Sequence, residues 1–298
     1  MTYPIIKYRK IWFTFSALLV VASVTALLMY PLRLGIDFMG GSLLELKFSG
    51  ERPAAADMSA EMSGWGYGET TAQPLGDDGM LIRLKGLNED EHQAVLASLR
   101  EKHGDLQEMR FETVGPTVGA EMRSKAIWSL ALVLIGIASY VAYAFRKVSR
   151  PVASWKYGLT TLIAALFHDV LVPIGVFAVL GHVLAVEINS AFIAAMLTIL
   201  GFSVHDTIVV FDRVRENLLK TSGSFEEIVE RSVNQTLARS INTSLTTFLP
   251  LLAIWFWGGE SLKWFALALM IGLIAGTYSS ICLASPLLVT FQKASRKR

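Results

Sequence analysis

The chain reads as an α-helical membrane protein of six transmembrane helices, with one external α+β domain inserted between spans 1 and 2. Three observations predict this class. Of 298 residues, 53% are hydrophobic and only 17% charged, against roughly a quarter charged in ordinary soluble domains. The mean hydropathy is +0.47, and the apolar excess is gathered in runs of about 20 residues, enough to cross ~30 Å of hydrocarbon. Lys and Arg are also shared unequally among the segments between those runs, the asymmetry that orients helices in a bilayer.

The runs follow one another along the chain. Ile11 to Tyr30 and Ala126 to Phe145 carry no charge. Tyr157 to Gly181 is interrupted only by His168 and Asp169, and Ile188 to Phe211 only by His205 and Asp206. Arg239 to Trp257 is shorter, while Trp264 to Phe291 is long enough to tilt. The first run is too long for a signal-peptide core and lacks a small-x-small cleavage site near Tyr30-Pro31, so it reads as an uncleaved anchor. The expected organisation is 1–30 for the N-terminus and first span, 31–125 for the external domain, and 126–298 for five further spans with a C-terminal tail. The single cysteine, Cys282, lies in an apolar run, which excludes a disulfide framework and a cysteine metal site.

Orientation follows from the short loops. The N-terminus holds three basic residues, Arg146 to Lys156 four, Asp212 to Ser240 five, and the tail from Lys293 four, so sixteen lie on one side. The opposite short loops, His182 to Glu187 and Gly258 to Lys263, hold one, Lys263. Both termini are therefore expected in the cytoplasm. The long segment 31–125 has ten basic residues, but the rule covers short loops, and its position between spans places it outside. The net charge of +2, with its cations dispersed among loops, gives no footprint for nucleic acid.

Within the external segment, Leu44, Leu46 and Phe48 alternate with Glu45 and Lys47, the period of a strand packed on one face. Pro53 to Met62 reads as a short helix, Tyr67 to Gln73 as a strand, and Pro74 to Gly79 as a turn. Met80, Ile82 and Leu84 alternate again. Asn88 with Glu91 makes a capping box for a helix presenting Val95, Leu96 and Leu99. Met109, Phe111 and Thr113 give a last strand. The order β-α-β-β-α-β predicts a ferredoxin-like layer.

The spans carry ionisable groups, each costing about 2.5–3.5 kcal/mol on insertion scales, so they are expected to face a bundle interior or a wet gap. Ser203 and Asp206 share a stripe of the fourth span, with His205 beside it. Arg239, Asn242, Thr243 and Thr246 recur at i, i+3, i+4 and i+7 on the fifth, and Pro250 removes a backbone donor one turn on. The third span adds His168 and Asp169, then Pro173. An Asp206–Arg239 pair on antiparallel neighbours would offset part of the desolvation of each. Two uses of Arg239 stay open, pairing with Asp206 or snorkelling to the headgroups. No third ligand is spaced with either histidine for a metal site. Asp212 and Arg213 read as a solvated helix end. Gly272, Gly276, Ser280 and Ala284 form a small-residue stripe for close helix packing.

These residues carry a resemblance. Leu200 to Asn217, which includes Asp206-Thr207-Ile208-Val209-Val210-Phe211-Asp212-Arg213, resembles the fourth-span signature of the SecD/SecF family of protein-export membrane proteins, in the wording of its SecF branch. Gly35-Ile36-Asp37-Phe38-Met39-Gly40-Gly41, Phe167-His168-Asp169-Val170-Leu171 and Thr236 to Thr247 resemble further family motifs in the family's order. The resemblance implies an RND-superfamily arrangement in the bacterial inner membrane. Its implied partners are SecD, the SecYEG channel, other Sec auxiliary membrane proteins, translocating preproteins and membrane lipid. It also implies a non-enzymatic role in which protons are the coupling ion and no other cofactor is used. Asp206 and Arg239 would sit at the interface with SecD and take part in proton passage, with His205, Asp169 and His168 as accompanying charges. Gly35, Asp37, Gly40, Gly41, Asp212 and Arg213 would serve partner contact or structure. His205 departs from the family, which more often has Asn there.

Overall fold

The computed structural model describes residues 3–68, 70–146 and 152–296. The basic residues Lys147, Arg150, Lys297 and Arg298 counted above lie outside them. The chain divides into two compact units, Met1–Arg33 with Trp128–Arg298, and Leu34–Ile127.

After the first helix α1 (Arg9–Met29), the second unit opens with a single turn, α2 (Ile36–Met39), followed by β1 (Gly41–Phe48), α3 (Ala55–Gly64), β2 (Thr71–Leu75), β3 (Gly79–Leu84), α4 (Glu89–His103) and β4 (Leu106–Val114). The four strands form one antiparallel sheet in the order β2-β3-β1-β4. The alternating residues Leu44, Leu46, Met80 and Ile82 are fully buried beneath Met58 and Met62 of α3 and Val95 and Leu99 of α4. The capping box forms, Asn88 accepting from the Glu91 backbone and Glu91 from that of Asn88. Buried Ser42 donates to Thr113 and accepts from the Leu87 N–H, so its hydroxyl is satisfied.

Two strand readings are corrected. Pro74 and Leu75 belong to β2 rather than to a turn, pairing with Met80 and Gly79. Proline is tolerated because β2 is an edge strand, where its missing N–H faces outward. Met109 does not point inward. The register steps from Glu45↔Arg110 to Leu46↔Glu108, so Met109 is the extra residue of a β-bulge and is 53% exposed. The bulge turns Glu108 toward the helices, where its carboxylate lies 3.2 Å from His92 Nε2, while the His92 ring stacks on Phe111 at 3.7 Å.

In the helical unit, α5 (Pro116–Ala144) precedes α6 (Ser154–Leu162), a π-helical segment Ile163–Val170, α7 (Leu171–Leu184), α8 (Ser190–Lys220), α9 (Phe225–Trp257) and α10 (Glu260–Ser279). A second π-helical segment, Ser280–Ala284, then runs into α11 (Ser285–Arg296). Among the described residues, four helices are long and apolar enough to cross a membrane: α1, α5, α8 and the continuous run Leu262–Ser295. The expected third span is broken by π geometry, leaving the shorter apolar helix His168–Leu184. The expected fifth begins far earlier than Arg239, at a capping box made by Ser224 and Glu227, and continues through Pro250. Close packing fixes the bundle: a Cβ on Gly276 would lie 2.9 Å from Ser203 Cβ on α8, and one on Gly175 of α7 would lie 2.5 Å from Ser23 Cβ on α1.

The N-terminal residues are tied to α9. Glu230 accepts backbone N–H groups of Ile5 (2.7 Å), Ile6 (3.0 Å) and Lys7 (3.3 Å), and Asn234 bonds both backbone groups of Tyr3. Glu226 bonds Arg9 and also Lys293 of α11, joining three elements. Burial pushes the Glu226 carboxyl up, but the hydrogen bonds and charges of Lys293 and Arg9 outweigh it and hold the group below its ordinary value of 4.5. A carboxylate depressed in this way stabilises above its unfolded pKa, and the contribution is lost as pH falls through the folded value. Spin labels at Tyr8→Cys and Ala294→Cys, in a Cys282→Ala background, should therefore keep one distance down to pH 4.5 and separate only below it. Separation already near neutral pH would contradict the tie.

Candidate functional site

Helical spacing places polar side chains on facing stripes of α8, α9 and α10. Asp169, in the first π-helical segment, is fully buried. Its Oδ1 lies 2.9 Å from His168 Nδ1, and its Oδ2 accepts from Ser203 of α8 and from Ser279 of α10 at 2.7 Å. The neighbouring hydroxyls close a network. Thr207 and Ser280 lie 2.8 Å apart, and both donate to the Ser203 carbonyl at 3.1 Å. The His168 ring sits 5.3 Å from that of Tyr278, whose hydroxyl donates to the Trp12 carbonyl of α1 at 3.0 Å. π-Helical turns occur often at functional sites, because the extra residue reorients side chains.

Asp206 lies one turn from Ser203, half-buried. Its Oδ1 accepts from Ser240 of α9 at 2.5 Å, and its Oδ2 is buried with no hydrogen-bond partner among the described residues. The expected Asp206–Arg239 ion pair is absent among the described residues, and Ser240 takes its place. The helices are rotated so that residue 240 rather than 239 faces α8. Arg239 nonetheless lines the same cavity as Asp206, together with Ser203, His205, Thr243 and Thr277. That cavity measures about 30 Å³, above the roughly 10–15 Å³ that a water needs. A much larger cavity of about 640 Å³, lined mostly by apolar groups such as Ile5, Trp12, Leu245 and Phe248, adjoins it through the shared residues Ser244, Leu273 and Thr277.

The outer face of this site is open. His205, Arg239, Asn242, Thr243 and Thr246 are all exposed. Asp212 and Arg213 fall beyond the network: Arg215 pairs with Asp212 at 3.0 Å, while Arg213 bonds Gln235 at 2.7 Å and pairs with Glu216. In the other unit, Gly35 precedes α2 and Asp37 lies in its first turn. Gly40 and Gly41 have φ of 77° and 120°, and a Cβ would come 2.8 Å from Pro116 Cα and 2.7 Å from the Leu84 oxygen. The site residues that sequence reasoning passed over are Ser240, Ser279, Thr207 and Tyr278. The Ser279-Ser280 pair inside an apolar run was the available signal, since hydroxyls in a span seek partners on neighbouring helices.

An acid–histidine–hydroxyl network enclosed by long apolar helices defines a polytopic α-helical membrane protein with a polar path built into its bundle. Comparison with known proteins narrows the class. Residues 94–294 match the C-terminal region of the protein export membrane proteins SecD/SecF, and residues 25–51 match the SecD/SecF GG motif. The protein translocase subunit SecF of Thermobaculum terrenum is 44% identical over 97% of the chain and 93% of its own length, and that of a Synechocystis species is 40% identical over 98% and 95%. The crystal structure of SecDF, a translocon-associated membrane protein from Thermus thermophilus, superposes with a TM-score of 0.85 at 31% identity. The match covers all of this chain and 39% of the SecDF chain. The chain belongs to the SecD/SecF family of protein-export membrane proteins. It is a subunit of the Sec protein translocase, a transport component and not an enzyme.

Proposed function

We propose that the chain is one half of a proton-coupled export unit whose other half, SecD, covers the open face of α8 and α9. The observation that carries this is the exposure of His205, Arg239, Asn242, Thr243 and Thr246 on helices of a membrane protein. Polar and charged side chains that run two turns along a lipid-facing helix are costly in hydrocarbon, which favours protein or a wet gap against the stripe. In this reading the unit has six spans of RND type. Residues 154–184 form the third, and α9, whose 33 residues extend about 50 Å, forms the fifth. Both ends lie in the cytoplasm, as the basic loops favour, in the inner membrane of a bacterium. The 34–127 unit is a ferredoxin-like domain on the far side, supported by its β2-β3-β1-β4 order. Protons pass Asp206 and Arg239, with His205, Asp169 and His168 alongside, and drive SecYEG-dependent movement of preproteins.

The pairing is tested by cross-linking. Thr246→Cys in a Cys282→Ala background should form a disulfide with a cysteine on a SecD span and, once paired, resist lipid-soluble maleimide. Unchanged maleimide labelling in the presence of SecD would sink this reading.

A further inference from the structure

Behind the open stripe and Asp206 lies a second carboxylate, Asp169, wholly enclosed, that shares a neighbour with the first. Ser203 donates to Asp169 Oδ2 and also lines the Asp206 cavity. His168 Nδ1 lies against the other oxygen of Asp169, while His168 Nε2 is buried with no hydrogen-bond partner among the described residues. Resting on the reading that Asp206 exchanges protons, we propose that Asp169 and His168 form a second proton-holding site deeper in the bundle, and that Ser203 is the relay joining it to Asp206.

The step balances. A proton leaves the Asp206 carboxyl through one water in the cavity and joins Ser203 Oγ, as the hydroxyl's own proton passes to Asp169 Oδ2. Asp206 becomes a carboxylate, Asp169 a carboxylic acid, and the serine is regenerated. A cavity of about 30 Å³ suits one such water, which needs two to four polar partners. Asp206, Arg239 and Thr243 line the space and can supply them. The second site is bounded by helices rather than by the open face. Asp169 is 0% and His168 1% exposed, and Ser279, which donates to the same oxygen as Ser203, does not line the cavity. The charged and titratable groups around the two sites are His205 of α8, Arg239 of α9, and Tyr278 with its neighbour Cys282 in the last helical run. Ser203 is therefore a positioning and relay residue whose loss opens a gap in the route without removing either carboxylate.

Infrared difference spectroscopy on the full chain, purified with its partner and reconstituted in lipid vesicles, tests this. Wild type should show two pH-responsive protonated-carboxyl bands, one removed by Asp206→Asn and the other by Asp169→Asn. Ser203→Ala should keep both, yet slow hydrogen–deuterium exchange of the Asp169 band by ~10²-fold, the lower end of what a positioned proton-transfer group contributes. Ser203→Thr should restore the rate. Ser279→Ala should shift the frequency of the same band at an unchanged rate, which also assigns the band if Asp169→Asn does not fold. Exchange at the wild-type rate in Ser203→Ala overturns the relay. An Asp206 band without any pH-responsive Asp169 band overturns the second site and leaves the Asp206 reading standing. A missing Asp206 band overturns that reading, and the proposal with it.

Discussion

Asp206→Asn is expected to abolish the part of preprotein export that an uncoupler removes from the wild type, at normal protein level and with the partner still bound. The substitution keeps the shape of the side chain and a hydrogen-bond acceptor for Ser240, which lies 2.5 Å from the native oxygen. It removes only the group that can take and release a proton. Insertion should not suffer, because a neutral amide is cheaper in lipid than an ionisable carboxyl. The energy at stake is considerable: each proton crossing 100 mV supplies about 2.3 kcal/mol, a factor of nearly 50 in a two-state equilibrium. Arg239→Met should weaken the same component, since Arg239 lines the cavity without pairing with Asp206. The measurement is export into vesicles with and without uncoupler. Asp206→Asn export that still collapses with uncoupler to the wild-type degree would refute the assignment.

The second large effect belongs to the glycine pair. Gly41→Ala should destabilise the 34–127 unit by about 3 kcal/mol, the upper end for a residue held in a sparsely populated conformation, because its φ is 120° and the new Cβ would meet the Leu84 oxygen at 2.7 Å. That oxygen belongs to the backbone of β3, paired with β1 through Ser42↔Leu84, so it cannot swing aside. Gly76→Ala is the control: its φ is 58° but nothing lies within 4 Å, so it should lose only about 1–2 kcal/mol. At about 4–8 °C per kcal/mol for a domain of this size, the two variants should melt at clearly different temperatures. Equal melting temperatures would mean that the close approach to Leu84 is not what the glycine serves.

Local pattern carried the elements whose neighbours matter least. The alternation at Leu44, Leu46, Met80 and Ile82 and the cap at Asn88 could be read from the residues alone, because period and capping are properties of short segments. Met109 could not, since a bulge is decided by pairing with β1, about sixty residues away in the chain. The start of α9 was legible in Ser224 and Glu227 but was passed over, because a hydropathy reading treats polar residues beside a span as loop. The polar stripes of α8 and α9 were visible in the spacing, yet the spacing says nothing about how far one helix is turned relative to the next. That rotation put Ser240, not Arg239, against Asp206. Asp169 and Ser203 were both singled out, but their contact depends on the π-helical turn, which no local composition announces.

The tie between the N-terminal residues and Glu230 has a consequence for biosynthesis. The bond from Ile6 spans 224 positions of the chain, and at about 5–20 residues per second a ribosome needs roughly 11 to 45 seconds to make the distance. Throughout that interval Ile5 and Ile6, buried in the finished protein, have no α9 to rest on. Residues made that far ahead of α9 are thus among the last to settle. Their docking marks the moment when the first helix and the late hairpin of α8 and α9 have both been delivered to the same assembly.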